Sequence, residues 1–126
     1  MAHYSLLDEN NVVTEMITGV DENIVQIDID GTEVGGSTEA WENFYGNLKG
    51  QVCKRTSINT VGGKRKDPIT AQIIDEVGFR KNTGVPGMIY NEEIDGFIPP
   101  KTDDSFILDE EIGNWVPLNN NPPSQQ

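Results

Sequence analysis

The sequence predicts a small, mainly β (α+β) domain, rich in antiparallel hairpins, with one amphipathic helix at about residues 37–49 and a C-terminal hairpin arm. Three observations carry this. Short β-branched runs are separated by Asn, Asp and Gly turn residues. One stretch alone shows helical periodicity. The C-terminal part repeats itself with an offset of 18 residues. The 126 residues fit one domain with an appended arm. Apolar residues make up 35% of the chain, so the core should be thin and stability partly borrowed from a partner.

The first hairpin is expected from Tyr4-Ser5-Leu6-Leu7, the turn residues Asp8-Glu9-Asn10-Asn11, and a β-branched return at 12–17. Gly19 interrupts it. Residues 24–29 alternate and end at Asp30-Gly31, a strong two-residue turn signal, which makes a third strand. Ser37 is a good helix N-cap, and Glu39 sits where the helix dipole favours an anion. Trp41, Phe44, Tyr45 and Leu48 form one apolar stripe, and Gly50 stands at the C′ position. Residues 52–58 read as another strand and 61–68 as a basic loop. Residues 69–77 suit a short helix or a strand.

The repeat sets Ile89-Tyr90-Asn91-Glu92-Glu93-Ile94 against Ile107-Leu108-Asp109-Glu110-Glu111-Ile112, and Phe97-Ile98-Pro99 against Trp115-Val116-Pro117. Each unit is a hairpin, with Gly96 or Gly113 expected in its turn. The organisation that follows is a β-rich core with one helix at 1–88, two tandem hairpins at 89–118, and a Pro/Asn/Gln-rich tail at 119–126. The hairpins either form an arm for a neighbouring surface or fold back on the core.

The net charge is −12, so free nucleic acid is a poor partner. Residues 1–48 carry ten acids and no base. Residues 49–81 carry eight bases and three acids, and residues 82–126 carry eight acids and one base. The basic middle either pairs with its acidic flanks or docks on an acidic neighbour. In the docking reading Lys54, Arg55, Lys64, Arg65, Lys66, Arg80 and Lys81 supply charge, while Phe97 and Trp115 supply apolar contact.

Catalysis finds little support. His3 is the one histidine and Cys53 the one cysteine, expected to be a small buried hydrophobe. Glu92-Glu93 and Glu110-Glu111 fall in solvated turns. Asp28-Ile29-Asp30-Gly31 lacks the third ligand and the later glutamate of a calcium loop. Gly62-Gly63-Lys64 lacks the phosphate-loop frame. No enzyme activity, metal or cofactor is expected. Residues 1–4 carry no signal-peptide pattern and no apolar run approaches a membrane span, which points to synthesis in a cytoplasm.

The opening Met1-Ala2-His3-Tyr4-Ser5-Leu6-Leu7-Asp8-Glu9-Asn10-Asn11-Val12-Val13 resembles a family of small structural proteins of marine tailed phages, of the cyanophage and pelagiphage kind. Cys53-Lys54-Arg55-Thr56-Ser57-Ile58-Asn59-Thr60, Gly78-Phe79-Arg80-Lys81-Asn82 and Asp95-Gly96-Phe97-Ile98-Pro99-Pro100-Lys101 extend the resemblance over nearly the whole chain. The sequence departs from the family pattern at 83–90 and at Ser105-Phe106, where the family has Ser-Trp. The resemblance implies a virion protein, foremost a head decoration (cement) protein. Its partner would be the major capsid protein or another virion protein, in multiple copies per particle. A tail, neck or fibre-associated protein, or a host-glycan adhesion module stacking sugars on Tyr90, Phe97 and Trp115, is the alternative. No site residues carry over from the family.

Overall fold

The computed structural model describes residues 2–117; the expected tail at 119–126, with residue 118, lies outside the described residues. The fold is mainly β, built of small antiparallel sheets and hairpins around one helix. Strand β1 (Ala2–Leu7) is its axis. It pairs on one side with β2 (Val13–Gly19) and on the other with β5 (Val52–Thr56). The turn between β1 and β2 is the expected one: Asp8 Oδ1 accepts from the N–H groups of Asn10 and Val12, and Asn11 takes φ 64°.

Because strand side chains alternate, β1 feeds two faces. Ala2, Tyr4 and Leu6 join Trp41 and Cys53 in one buried cluster under the helix. Leu7 joins Val13, Tyr90 and Phe97 in a second cluster on the opposite face. The helix and the first C-terminal hairpin therefore lie on opposite sides of one sheet.

Helix α1 (Thr38–Lys49) begins and ends as its sequence dictates. Ser37 Oγ accepts from the Ala40 N–H at 3.1 Å, and Gly50 closes it in the left-handed region at φ 69°. Its buried face differs from the expected stripe. Trp41 is 1% exposed, but Leu48 is 66% exposed, and Glu42 and Gly46 are buried instead. Trp41, Phe44 and Tyr45 keep the apolar core contacts, while Glu42 and Gly46 are covered because β5 passes beneath Gly46 and turns the Arg55 N–H, with the Arg80 guanidinium beside it, toward Glu42. Trp41, Phe44 and Tyr45 pack edge-on and stacked, with centroids 5.3–5.7 Å apart.

The short hairpin of β3 (Val25–Ile27) and β4 (Glu33–Gly35) precedes the helix; its loop is closed by Gly31 at φ 86° rather than by a two-residue turn. The expected basic loop is itself a hairpin. Strands β6 (Thr60–Val61) and β7 (Lys64–Lys66) turn at Gly62-Gly63, both at positive φ, and β8 (Ile73–Val77) completes a second three-stranded sheet. The ambiguous stretch 69–77 thus ends as a strand.

The 18-residue repeat is structural. Strands β9 (Ile89–Asn91) and β10 (Gly96–Ile98) pair Tyr90 with Phe97, while β11 (Phe106–Asp109) and β12 (Asn114–Pro117) pair Leu108 with Trp115. Asn91 and Asp109 cap their turns identically. The left-handed turn position is held by Asp95 (φ 48°) in one unit and Gly113 (φ 65°) in the other. Gly96, expected in the turn, is in the strand.

The arm expectation is corrected for the first unit. Phe97 is fully buried, Tyr90 and Ile98 nearly so, and Val12 bridges to Ile89. An acidic turn and a flanking proline look solvated in the sequence, yet the Tyr90–Phe97 pair needs the Leu7–Val13 surface. Residues 89–98 thus share the core of residues 2–88. The second unit lies on the first: Trp115 Nε1 donates to the Pro99 carbonyl at 2.8 Å.

Candidate partner-binding surface

The interior charge network begins at the outer edge of β5. There the Arg55 N–H donates to Glu42 Oε2 at 2.7 Å, and Arg80 Nη1 donates to the Arg55 carbonyl at 2.9 Å. Arg80 also meets Glu42 at 2.8 Å and Asp95 at 3.0 Å. The Tyr90 hydroxyl donates to Asp95. Burial pushes the Tyr90 phenol pKa upward, and the Asp95 hydrogen bond adds to it. The Nε atoms of Arg55 and Arg80 lie within ion-pair distance of Glu22 and Asp95 but off the hydrogen-bond direction.

Arg80 and Lys81 both occupy the left-handed region, at φ 52° and 71°. Such strain persists only where surroundings over-determine it. Here the Arg80 carbonyl accepts from the Asn82 and Phe97 N–H groups, and the Lys81 carbonyl from the Gly63 N–H. Asn82 Oδ1 accepts from the Gly62 N–H, while its Nδ2 donates to the carbonyls of Phe97 and Gly113. The 80–82 segment thus ties the second sheet to both C-terminal hairpins.

The residues expected to meet a partner scatter. Arg80 is withdrawn into the network, and Phe97 into the core; neither is available to a neighbour. Arg55 pairs with Glu22 at 2.5 Å. Exposed Lys64 and Arg65 pair across β7–β8 with Asp75 and Glu76 at 2.8 and 3.4 Å. Lys66 is half-buried in β7. Lys54 lies 5.2 Å from the Tyr90 ring centroid, and Lys81 reaches the Glu111 carbonyl. Half-buried Trp115 carries Lys101 at 5.2 Å. The basic middle is thus largely engaged within the chain. The glycan platform is corrected too, since two of its three rings, Tyr90 and Phe97, are buried.

Two surfaces emerge that the sequence reading missed. The Phe79 ring meets the guanidinium groups of both Arg55 and Arg80, 5.1 and 5.0 Å from its centroid, beside an open groove of about 450 Å³ that Ile94 and Asp95 also line. The second is the β3–β4 hairpin, where every residue from 23 to 33 is exposed. Ile27 and Ile29 were legible as apolar, but not as uncovered.

Cys53 is buried, and desolvation pushes its thiol up to about 12, which makes it a poor nucleophile. Among the described residues no group of three or more His, Cys, Asp or Glu could hold a metal, and no helix is long and apolar enough to cross a membrane. No family model, curated protein or solved structure matches this chain.

Proposed function

We propose that this chain is a non-enzymatic structural protein of a tailed-phage particle, foremost a head decoration protein that binds the outside of the capsid and bridges coat subunits. The observation that carries the reading is apolar surface left uncovered on sheet edges. Val25, Ile27 and Ile29 on the β3–β4 hairpin, with Ile69, Ile73 and Val77 in and beside edge strand β8, are each more than half exposed. Exposed apolar residues that cluster on edge elements mark contact surfaces, and unpaired edges are otherwise a liability. The resemblance of residues 1–13, 53–60, 78–82 and 95–101 to small phage structural proteins supports the same reading.

Quantitative mass spectrometry of purified particles tests it. A copy number comparable to that of the coat protein fits head decoration. A few copies per particle moves the chain to the tail or neck. Absence from particles overturns the reading.

A further inference from the structure

The β3–β4 hairpin is pinned at its base and bare along its blade. Trp41 Nε1 donates to the Ile24 carbonyl at 2.9 Å, and the Gly36 N–H donates to the same oxygen at 2.8 Å. Gly35, at φ 96°, lies against the indole so closely that a Cβ there would overlap it. Half-buried Val34 packs on the helix-side core. Beyond that base the cross-strand register pairs Gln26 with Val34 and sets Val25 and Ile27 on the alternate face with Gly35 and Glu33. Val25 is 51% exposed, Ile27 64%, and Ile29 at the tip is fully exposed.

The blade has one sign of charge. Residues 25–35 hold three acids, Asp28, Asp30 and Glu33, and no base. Asp28 and Asp30 flank Ile29, and Glu33 stands opposite Ile27. Among the described residues none of these three has an ion pair, whereas most of the chain's bases are engaged elsewhere. A pinned apolar blade with an unneutralised acidic rim is complementary to an apolar groove bordered by Lys and Arg. A second copy of this chain fits poorly, because it carries the same −12 and offers few unengaged bases.

We propose that the β3–β4 hairpin is the element that seats this chain on its partner, by inserting Ile27 and Ile29 into an apolar groove of a coat protein rimmed with Lys and Arg. The proposal rests on the particle reading above and assigns its contact. Asp28 and Asp30 steer the encounter, while the buried isoleucines set the rate of release.

The test uses heads purified without this chain and the purified full chain, with attachment followed by co-sedimentation across a salt series. The Ile27→Ser/Ile29→Ser variant should keep the wild-type unfolding midpoint, because both side chains are exposed, and should lose about tenfold or more in affinity through faster release. Asp28→Lys/Asp30→Lys should attach more slowly and with less salt dependence. Ile29→Cys carrying a photo-crosslinker should capture the coat protein. Wild-type attachment with undiminished binding of the Ile27→Ser/Ile29→Ser variant overturns this inference and leaves the particle reading standing. Failure of the wild-type chain to attach, with its absence from native particles, overturns both. Dimers in sedimentation analysis that the double variant abolishes would make a second copy the occupant and overturn the partner chemistry.

Discussion

Glu42 accepts the backbone N–H of Arg55 at 2.7 Å, on the side of β5 where a fourth strand would bind. Arg80 donates to the carbonyl of the same residue. Two side chains of opposite charge thus satisfy one residue's outward donor and acceptor, and they neutralise each other at 2.8 Å. A carboxylate and a guanidinium close a sheet edge without a strand, which protects it from pairing with another chain.

Arg80→Ala should therefore destabilise the protein by about 3–5 kcal/mol, since it leaves Glu42 buried and uncompensated. Glu42→Leu/Arg80→Leu should cost less than Glu42→Leu and Arg80→Leu added together, since no lone charge remains. Urea midpoints of the four proteins in this cycle measure it. Additive losses would mean that the pair does not act as a unit.

The helix separates residues that its periodicity had grouped. Trp41→Ala should cost about 3–5 kcal/mol, whereas Leu48→Ala should stay within about 0.5 kcal/mol of wild type. Equal losses would put Leu48 back in the core.

Truncation distinguishes the two repeat units. A chain ending at Lys101 keeps Tyr90 and Phe97 against Leu7 and Val13, and should unfold cooperatively at a lower midpoint. A chain ending at Met88 loses half of that cluster and should show no cooperative transition. Phe97→Ala, at about 3–5 kcal/mol, should approach that state. Circular dichroism melts report all three.

Stability should fall on the alkaline side. Burial raises the Cys53 thiol from its ordinary 9.0 to about 12 and the Tyr4 phenol from 10.0 to about 12. The folded state then holds protons that the unfolded chain releases. The contribution is whole below pH 9 and drains away as pH climbs toward 12. Cys53→Ala should flatten the first part of that decline in a plot of urea midpoint against pH. An unchanged slope would refute the assignment to the thiol.

Local signals in the sequence read true where the chemistry is local. Ser37 and Gly50 cap the helix, Asp8 and Asn11 make the first turn, and the 18-residue repeat emerges as matched registers. What failed depended on what lies opposite. Gly62-Gly63 carried a hairpin signal that its basic neighbours obscured. Leu48 and Glu42 lie on neighbouring faces of one helix, and only the position of β5 decides which is covered. Val25 and Ile27 alternate as residues of a covered strand do, while Phe97 stands beside turns and prolines as an exposed one would. The fold reverses both, because burial belongs to pairs of surfaces and a sequence displays one surface at a time.

Strand β1 has its two covers far along the chain: the helix and β5 end at residues 49 and 56, and the β9–β10 hairpin ends at Ile98. During synthesis this strand leaves the ribosome before any layer that will enclose it. One flank gains its cover midway, but Leu7 and Val13 stay wet until the codon for Ile98 has been read and its residue has cleared the exit tunnel. A nascent chain stalled before that point would hold a half-dressed sheet, open to chaperones and to other nascent chains.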